Sequence, residues 1–372
     1  MFNTSISSIV QNRVFHSPII LGTNKLSIFN CKFYNFFDNC FFSNRIRLFH
    51  TQGTLFSNFL SSPIHIHDNN HFINQVYTIR QDISSLGTCS ISYCVFSSCV
   101  STNNGGGVYF LSESSNCSIL SSLFVDCHCV NSGGSYYLKG YSLESIRTCS
   151  NRCYHTTIAS YINGGGGFMQ SSYQSVCNMV TVYECSPKTI NSGHCCFAHF
   201  DGSQSTLYSN ASKCYGYTHA GYFHYRGINN FVRFNTFNLF NNCYNSFMIY
   251  STNIGTFNYC NLLNNSVTNG ALYSTNAAVT ISYFCFFGNT QDTFLQSGAK
   301  LNLEYCTTNL ATGFNHMNNG LGNTFGYSSF SPVLFTHLPL IACNKQQEYQ
   351  QITYDNKFKG NYGFLLVLLI IH

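Results

Sequence analysis

The stretch "CVFSSCVSTNNGGGVYF", Cys94 to Phe110, decides how the chain is read. A short apolar run ends in a cysteine, passes through polar residues, breaks on three glycines and turns apolar again. A Gly-rich loop before an apolar run is either a phosphate cradle or a corner of a repeating coil. A cradle needs Gly-Lys-Ser/Thr, or a Gly-x-Gly-x-x-Gly that opens a helix. Val108 follows the glycines here, which sets nucleotide binding aside. A corner needs recurrence.

The recurrence is present. "FSSC" ending at Cys99 is followed by "FVDC" at Cys127, "SNRC" at Cys153, "VYEC" at Cys185, "ASKC" at Cys214 and "FNNC" at Cys243, at spacings of 28, 26, 32, 29 and 29 residues. Each of the first five leads through a polar loop to glycine and then to an apolar or aromatic run, as in "GGGVYF" from Gly105 and "GGSYYL" from Gly133. Ile91, Phe96, Cys99 and Gly105 return as Ile119, Phe124, Cys127 and Gly133. Length varies mainly between cysteine and glycine, as loops vary on a fixed strand framework.

The runs are short, alternating and aromatic, which suits strands. Apolar residues at i, i+3, i+4 and i+7 are missing, so helical repeats do not fit. Leucine is too sparse for leucine-rich repeats, and propeller blades are longer. The spacing therefore predicts an all-β chain, a single-stranded right-handed parallel β-helix over residues 20–340, preceded by an N-terminal segment or cap, 1–19. Gly106 and Gly134 are expected at coil corners with positive φ, a conformation that glycine tolerates. Asn103 and Asn104 beside them suit similar backbone.

Composition narrows the function. Charged residues make up 8% of the 372, against roughly 25% in an average globular protein. The net charge of +5 is spread thinly. A stripe of Lys and Arg is lacking, and with it the footprint of a nucleic-acid partner. The N-terminus lacks a basic region followed by an apolar core, so a signal peptide is not evident. After a polar linker, 341–363, the run "FLLVLLII" opens segment 364–372. It is shorter than the roughly 20 residues of a spanning helix. It is read as the start of a candidate, truncated transmembrane helix that anchors the chain in a membrane.

Units of the form "C-x-F-x-x-C … N-N-G-G-G-V-Y-F" resemble those of right-handed β-helix surface proteins of parasitic protists. They are more loosely similar to the glycine-rich repeats of bacterial polymorphic outer-membrane proteins. The resemblance implies a pectate-lyase-like superhelix. For the protist group it also implies an extracellular ectodomain held at the cell surface by a C-terminal anchor.

Twenty cysteines need an explanation. Equivalent residues of successive coils lie about 4.8 Å apart, within disulfide reach. Cys99, Cys127, Cys153, Cys185, Cys214 and Cys243 could therefore form one vertical column. A parallel ladder points its side chains the same way, so a structural column of buried thiols is expected, with disulfides elsewhere as the alternative. The residues just before four of these cysteines, Asp126, Arg152, Glu184 and Lys213, alternate in sign. Stacked in register, they would make a charge ladder that discourages slipped pairings.

Sites for chemistry are sparse. In "HIHDNNH", His65 and His67 would share one strand face, with Asp68 and His71 nearby. A third fixed ligand is not supplied, so these are read as polar loop histidines, with no metal or cofactor. "CHC" at Cys127 to Cys129 and "HCCFAH" at His194 to His199 lack the paired Cys-x-x-Cys of a zinc knuckle. Glycosidases need two carboxylates about 5 to 9.5 Å apart. Of twelve acids, only Glu348 and Asp355 lie within ten residues of each other. No catalytic residue is assigned. Sequons at Asn3, Asn116, Asn210 and Asn264 agree with secretion but are common by chance in such a sequence. The sequence-level expectation is a non-enzymatic cell-surface protein for adhesion to, or recognition of, glycans or proteins. The alternative is a polysaccharide lyase or glycoside hydrolase on the same fold. The sequence does not specify an oligomeric state.

Overall fold

Alternation of inward apolar and outward polar residues sets the strands. In Thr88–Ser92, Cys89 and Ile91 are buried while Thr88 is exposed. The computed structural model describes residues 3–7, 10–12, 20–21, 25–43, 48–67, 87–156, 164–185, 195–219, 222–225, 232–239, 242–250, 255–258, 260–275, 278–290, 294–297, 300–308 and 318–319. The linker 341–363 and the apolar run 364–372 lie outside the described residues. Among the described residues, no helix is long and apolar enough to cross a membrane.

Each unit is a coil of three arms. The first arm is Thr88–Ser92 and the second is Val95–Ser97. After Val100–Ser101 and the glycine loop, the third arm is the first half of Val108–Leu120. That strand shifts register between Ser112 and Asn116, and its second half is the first arm of the next coil. Pairing is parallel from coil to coil: Ile91 with Ile119, Phe96 with Phe124, Val108 with Tyr136. The result is a large parallel sheet wound as a solenoid. Asn3–Ser7 pairs with Lys25–Phe29, and Val10–Asn12 with Lys32–Tyr34. Parallel pairing thus reaches into segment 1–19, which the sequence reading set apart as an N-terminal segment or cap.

The core is a set of vertical stacks. Phe33, Phe56, Phe96 and Phe124 succeed one another with ring centroids 5.6, 5.0 and 4.7 Å apart. Offset stacking of such rings adds about 0.5–1.5 kcal/mol per pair beyond burial. The stack ends at Ser150, whose hydroxyl donates to the Gly166 carbonyl at 2.8 Å. Tyr136 takes over the space, its ring 5.3 Å from Phe124.

Two sharp corners flank the second arm, and each is a single residue in the left-handed region. The first corner holds Asn30, Gly53, Tyr93, Ser121, Arg147, Met179 and Tyr208 in successive coils. The second holds Asn35, Asn58, Ser98, Asp126, Arg152, Glu184 and Lys213. Their φ values fall between 45° and 63°. The residue after each corner points inward, and at most corners it carries a small donor, with Phe36, Phe59 and Val180 as the apolar exceptions. Cys94 donates its thiol to the Ser92 carbonyl at 3.3 Å, and Ser122 its hydroxyl to the Leu120 carbonyl at 2.8 Å. Cys127 and Cys185 do the same to Val125 and Tyr183 at the second corner. At the first corner the same hydroxyl also accepts a backbone N–H from the coil before. Cys94 N–H reaches Ser122 Oγ, and Val180 N–H reaches Ser209 Oγ, both at 3.2 Å.

Two sequence expectations change. Gly105 and Gly133, not Gly106 and Gly134, hold positive φ, at 66° and 76°. At Gly106 and Gly134 the constraint is space, because an added Cβ would strike the carbonyl oxygens of Gly134 and Gly165 in the next coil. Cys243 leaves the column. It pairs with Gly216, two residues past Cys214, because Tyr215 pairs with Asn242. Asn242 pairs in turn with Ser266. The position before Ser266 is Asn265, whose N–H donates to Asn289 Oδ1 at 3.0 Å. The column therefore passes from thiols to amides.

Left-handed conformations cost non-glycine residues roughly 1–2 kcal/mol. Ser121 has φ 45° and is half exposed at its corner, whereas Ser122 points into the core. Ser121→Gly is expected to stabilise the protein by about 1 kcal/mol, read as a raised urea midpoint with an unchanged slope. An unaltered or lowered midpoint would contradict the strained corner.

Candidate recognition surface

The three arms present three outer faces of different character. On the second arm, Leu123, Val125 and Cys149 point away from the core yet are buried together, with Val95 packed against them. Cys149 is disulfide-bonded. That part of the face is covered, while Val95 and Ser97 on the same arm are half exposed. On the third arm, Phe42, His65, Tyr109, Tyr137 and Phe168 form one register column. Their ring centroids are 5.0, 4.4, 5.5 and 4.5 Å apart in order. Tyr109, Tyr137 and Phe168 stack face to face, the contacts of Phe42 and His65 are tilted, and Tyr109 and Phe168 are buried. The first arm differs: Ser90, Ser118, Glu144, Val176 and Ser205 form an outward row that is half exposed throughout.

The residues singled out in the sequence fall as follows. Cys99, Cys127, Cys153, Cys185 and Cys214 are fully buried free thiols following the second corner of successive coils. Burial pushes the thiols of Cys127, Cys185 and Cys214 well above the ordinary value. Cys94, at the first corner, is pushed up to about 11 by burial. These groups stay protonated and can donate to the carbonyls they cap. Asp126, Arg152, Glu184 and Lys213 occupy the corner immediately before, side chains outward. Arg152 makes a two-pronged contact to Asp126, both hydrogen bonds at 2.7 Å. Its guanidinium is shifted further up by that hydrogen bond. Lys213 lies 3.7 Å from Glu184 and donates to the Tyr183 hydroxyl at 2.7 Å. The pairs are half exposed, and such pairs contribute little to stability.

His65 and His67 lie side by side on the outer face, ring centroids 6.3 Å apart. Burial, with repulsion from His67, holds His65 down at about 4. Asp68 and His71 lie outside the described residues. Among the described residues, no cluster of three His, Cys, Asp or Glu side chains could hold a metal ion. The acids are engaged singly: Glu113 with Lys139 at 2.9 Å, Asp201 with Gln170 at 2.7 Å and Glu304 with Asn302 at 2.7 Å. Glu144 accepts from Ser118 at 3.4 Å, and Asp38 from the Asn39 N–H at 2.7 Å. Glu348 and Asp355 lie outside the described residues. Of the sequons, Asn264 is exposed at a corner, Asn116 is half buried in the sheet and Asn210 is buried. The side chain of Asn3 lies outside the described residues.

Sequence reasoning missed the corner residues and the buried histidine His199. His199 Nε2 meets Ser175 Oγ, and its Nδ1 lies 3.4 Å from Thr206 Oγ1, in the core between two coils. Thr206 and Cys177 share a register row, which locates the histidine over the first arm. A signal was available in the third arm, where His199 falls in register with inward Met169. Comparison with protein-family models, with curated proteins and with solved structures finds no match to this chain.

Burial holds His199 down at about 3. An unfolded histidine titrates near 6.5. Below that pH the unfolded chain takes up a proton that the folded chain refuses. Stability should therefore be full above about pH 6.5 and fall steadily as pH drops towards 3. Urea midpoints measured from pH 7.5 to pH 4.5 should decline, and His199→Gln should flatten the decline. A profile identical in the variant would show that His199 does not carry it.

Proposed function

We propose that this chain is the ectodomain of a cell-surface protein that recognises glycans or proteins without catalysing a reaction on them. Its solenoid is a single-stranded right-handed parallel β-helix akin to those of parasitic protist surface proteins. Right-handedness follows from the rule that parallel crossover connections are right-handed in about 98% of cases. The observation that carries the functional reading is the disposition of the described acids. Each is tied to a cation, an amide, a hydroxyl or a backbone N–H of its own neighbourhood. Acid–base hydrolysis asks for two carboxylates facing one bond, and elimination asks for a free base beside a cation site. What the faces offer instead is a long, regular, charge-poor surface on a rigid frame, the character of a binding scaffold.

A glycan and protein binding screen with the recombinant chain, run beside a polysaccharide-degradation assay, tests this. Saturable binding to a defined ligand without bond cleavage is expected. Release of reducing ends or unsaturated products from any polymer would overturn the non-enzymatic reading.

A further inference from the structure

We infer that the outer face of the first arm is a binding site for a neutral, linear polysaccharide that lies along the solenoid axis. The inference rests on the recognition reading above and assigns it a face and a ligand class.

Continuity and chemistry select the face. The second arm's outer face is interrupted by buried Leu123, Val125 and Cys149, and the third arm's by buried Tyr109 and Phe168. The first arm's two outer rows are exposed or half exposed in every coil from Thr88 to Ser205. One row runs Thr88, Asn116, Ser142, Gln174 and Ser203. The row beside it holds Ser90, Ser118 and Ser205, with Glu144 and Val176 between. These are short hydroxyl and amide groups on a flat parallel sheet. Two neighbours already bond to each other, Gln174 Nε2 to Ser142 Oγ at 3.2 Å. A third row adds apolar surface through Leu120, Ile146 and Leu207.

Tyrosines stand along both margins. Tyr93 and Tyr208 occupy the first corner, 57% and 41% exposed. On the opposite margin Tyr141 and Tyr173 stack at 5.0 Å just before Ser142 and Gln174. The floor between is about 13 Å wide, four residues at roughly 3.3 Å each.

This chemistry matches a pyranose chain. Sugar hydroxyls meet Ser, Thr, Asn and Gln, and sugar C–H faces meet the apolar row and the exposed rings. The coil rise of about 4.8 Å is close to the length of one sugar unit in an extended chain, so each coil can meet one unit in the same way. A peptide strand fits less well. It binds a sheet through free main-chain groups at an edge, and here both neighbours of each first arm are already paired. An acidic polymer fits less well too, because Glu144 is the charge on this floor from Thr88 to Leu207, and of the cations near its margins Arg147 stands at the first corner while Lys139 is tied to Glu113.

The test is affinity electrophoresis of the full chain through gels containing a soluble linear neutral β-glucan, heparin or polygalacturonate. Retardation by the β-glucan and not by the two acidic polymers is expected. Two variants locate the site. Tyr93→Gly with Tyr208→Gly removes both rings while suiting the left-handed backbone. Ser118→Arg covers the floor and can pair with Glu144. Each should weaken β-glucan binding at least tenfold without lowering the melting temperature. Absence of β-glucan retardation, equal retardation by the acidic polymers, or wild-type binding by both variants would overturn the inference. If the broader screen finds a ligand that these variants still bind normally, recognition stands and this face is not its site.

Discussion

The corner cap is the interaction on which the solenoid depends. A coil this tight must reverse direction within one residue on either side of a three-residue arm. That forces a left-handed residue at each corner, for which most side chains are strained. It also turns backbone groups inward, where each needs a partner. At most corners, with Phe36, Phe59 and Val180 as the apolar exceptions, the following residue supplies one. Its thiol or hydroxyl donates to the carbonyl two residues back, as Cys94 does to Ser92 and Ser122 to Leu120. At the first corner the neighbouring coil's hydroxyl then accepts the cap's own N–H, as Ser122 does for Cys94. One small side chain thus closes its own corner and ties that corner to the coil below. Cysteine suits this position because it is small, largely apolar, and still a donor.

This explains why part of the architecture was legible in the sequence. The cap recurs with each coil, so Cys99, Cys127, Cys153, Cys185 and Cys214 stand out as a period. The corner residue itself varies from Tyr93 to Ser121 to Arg147 to Met179, because the stack around it imposes the conformation and its side chain faces solvent. Glycine is the usual sign of such backbone, which is why the glycine loop drew the corner assignment. Within that loop one residue separates the two roles: Gly105 takes the left-handed turn and Gly106 gives way to the next coil's carbonyl. Cys243 shared the spelling of the motif but not its register, and only the pairing of Tyr215 with Asn242 reveals the offset. The candidate site was less legible still. Open and covered faces differ by what packs over them, which periodicity does not encode.

Structure and proposed function connect through register. Stacking like residues at fixed spacing gives the protein repeated rows: phenylalanines inside, aromatic rings on the third arm, hydroxyls on the first. Coil-to-coil identity keeps a row continuous even where loop length changes, as between Cys153 and Gly164. A row is suited to a repeating ligand more than to a compact one. Few charges break these rows, and those at the second corner neutralise each other along the axis, as Arg152 does Asp126.

The cap account is tested most directly at Ser122, which both donates and accepts. Urea unfolding of Ser122→Ala and Ser122→Cys should separate packing from hydrogen bonding. The alanine variant leaves the buried Cys94 N–H without its acceptor and should lose about 1–3 kcal/mol. The cysteine variant restores a residue that the same column uses at Cys31 and Cys94, and should stay within about 0.5 kcal/mol of the parent, inside the usual range of tolerated substitutions. An alanine variant as stable as the parent, or a cysteine variant that loses as much as alanine, would contradict the claim that these caps hold the coils together.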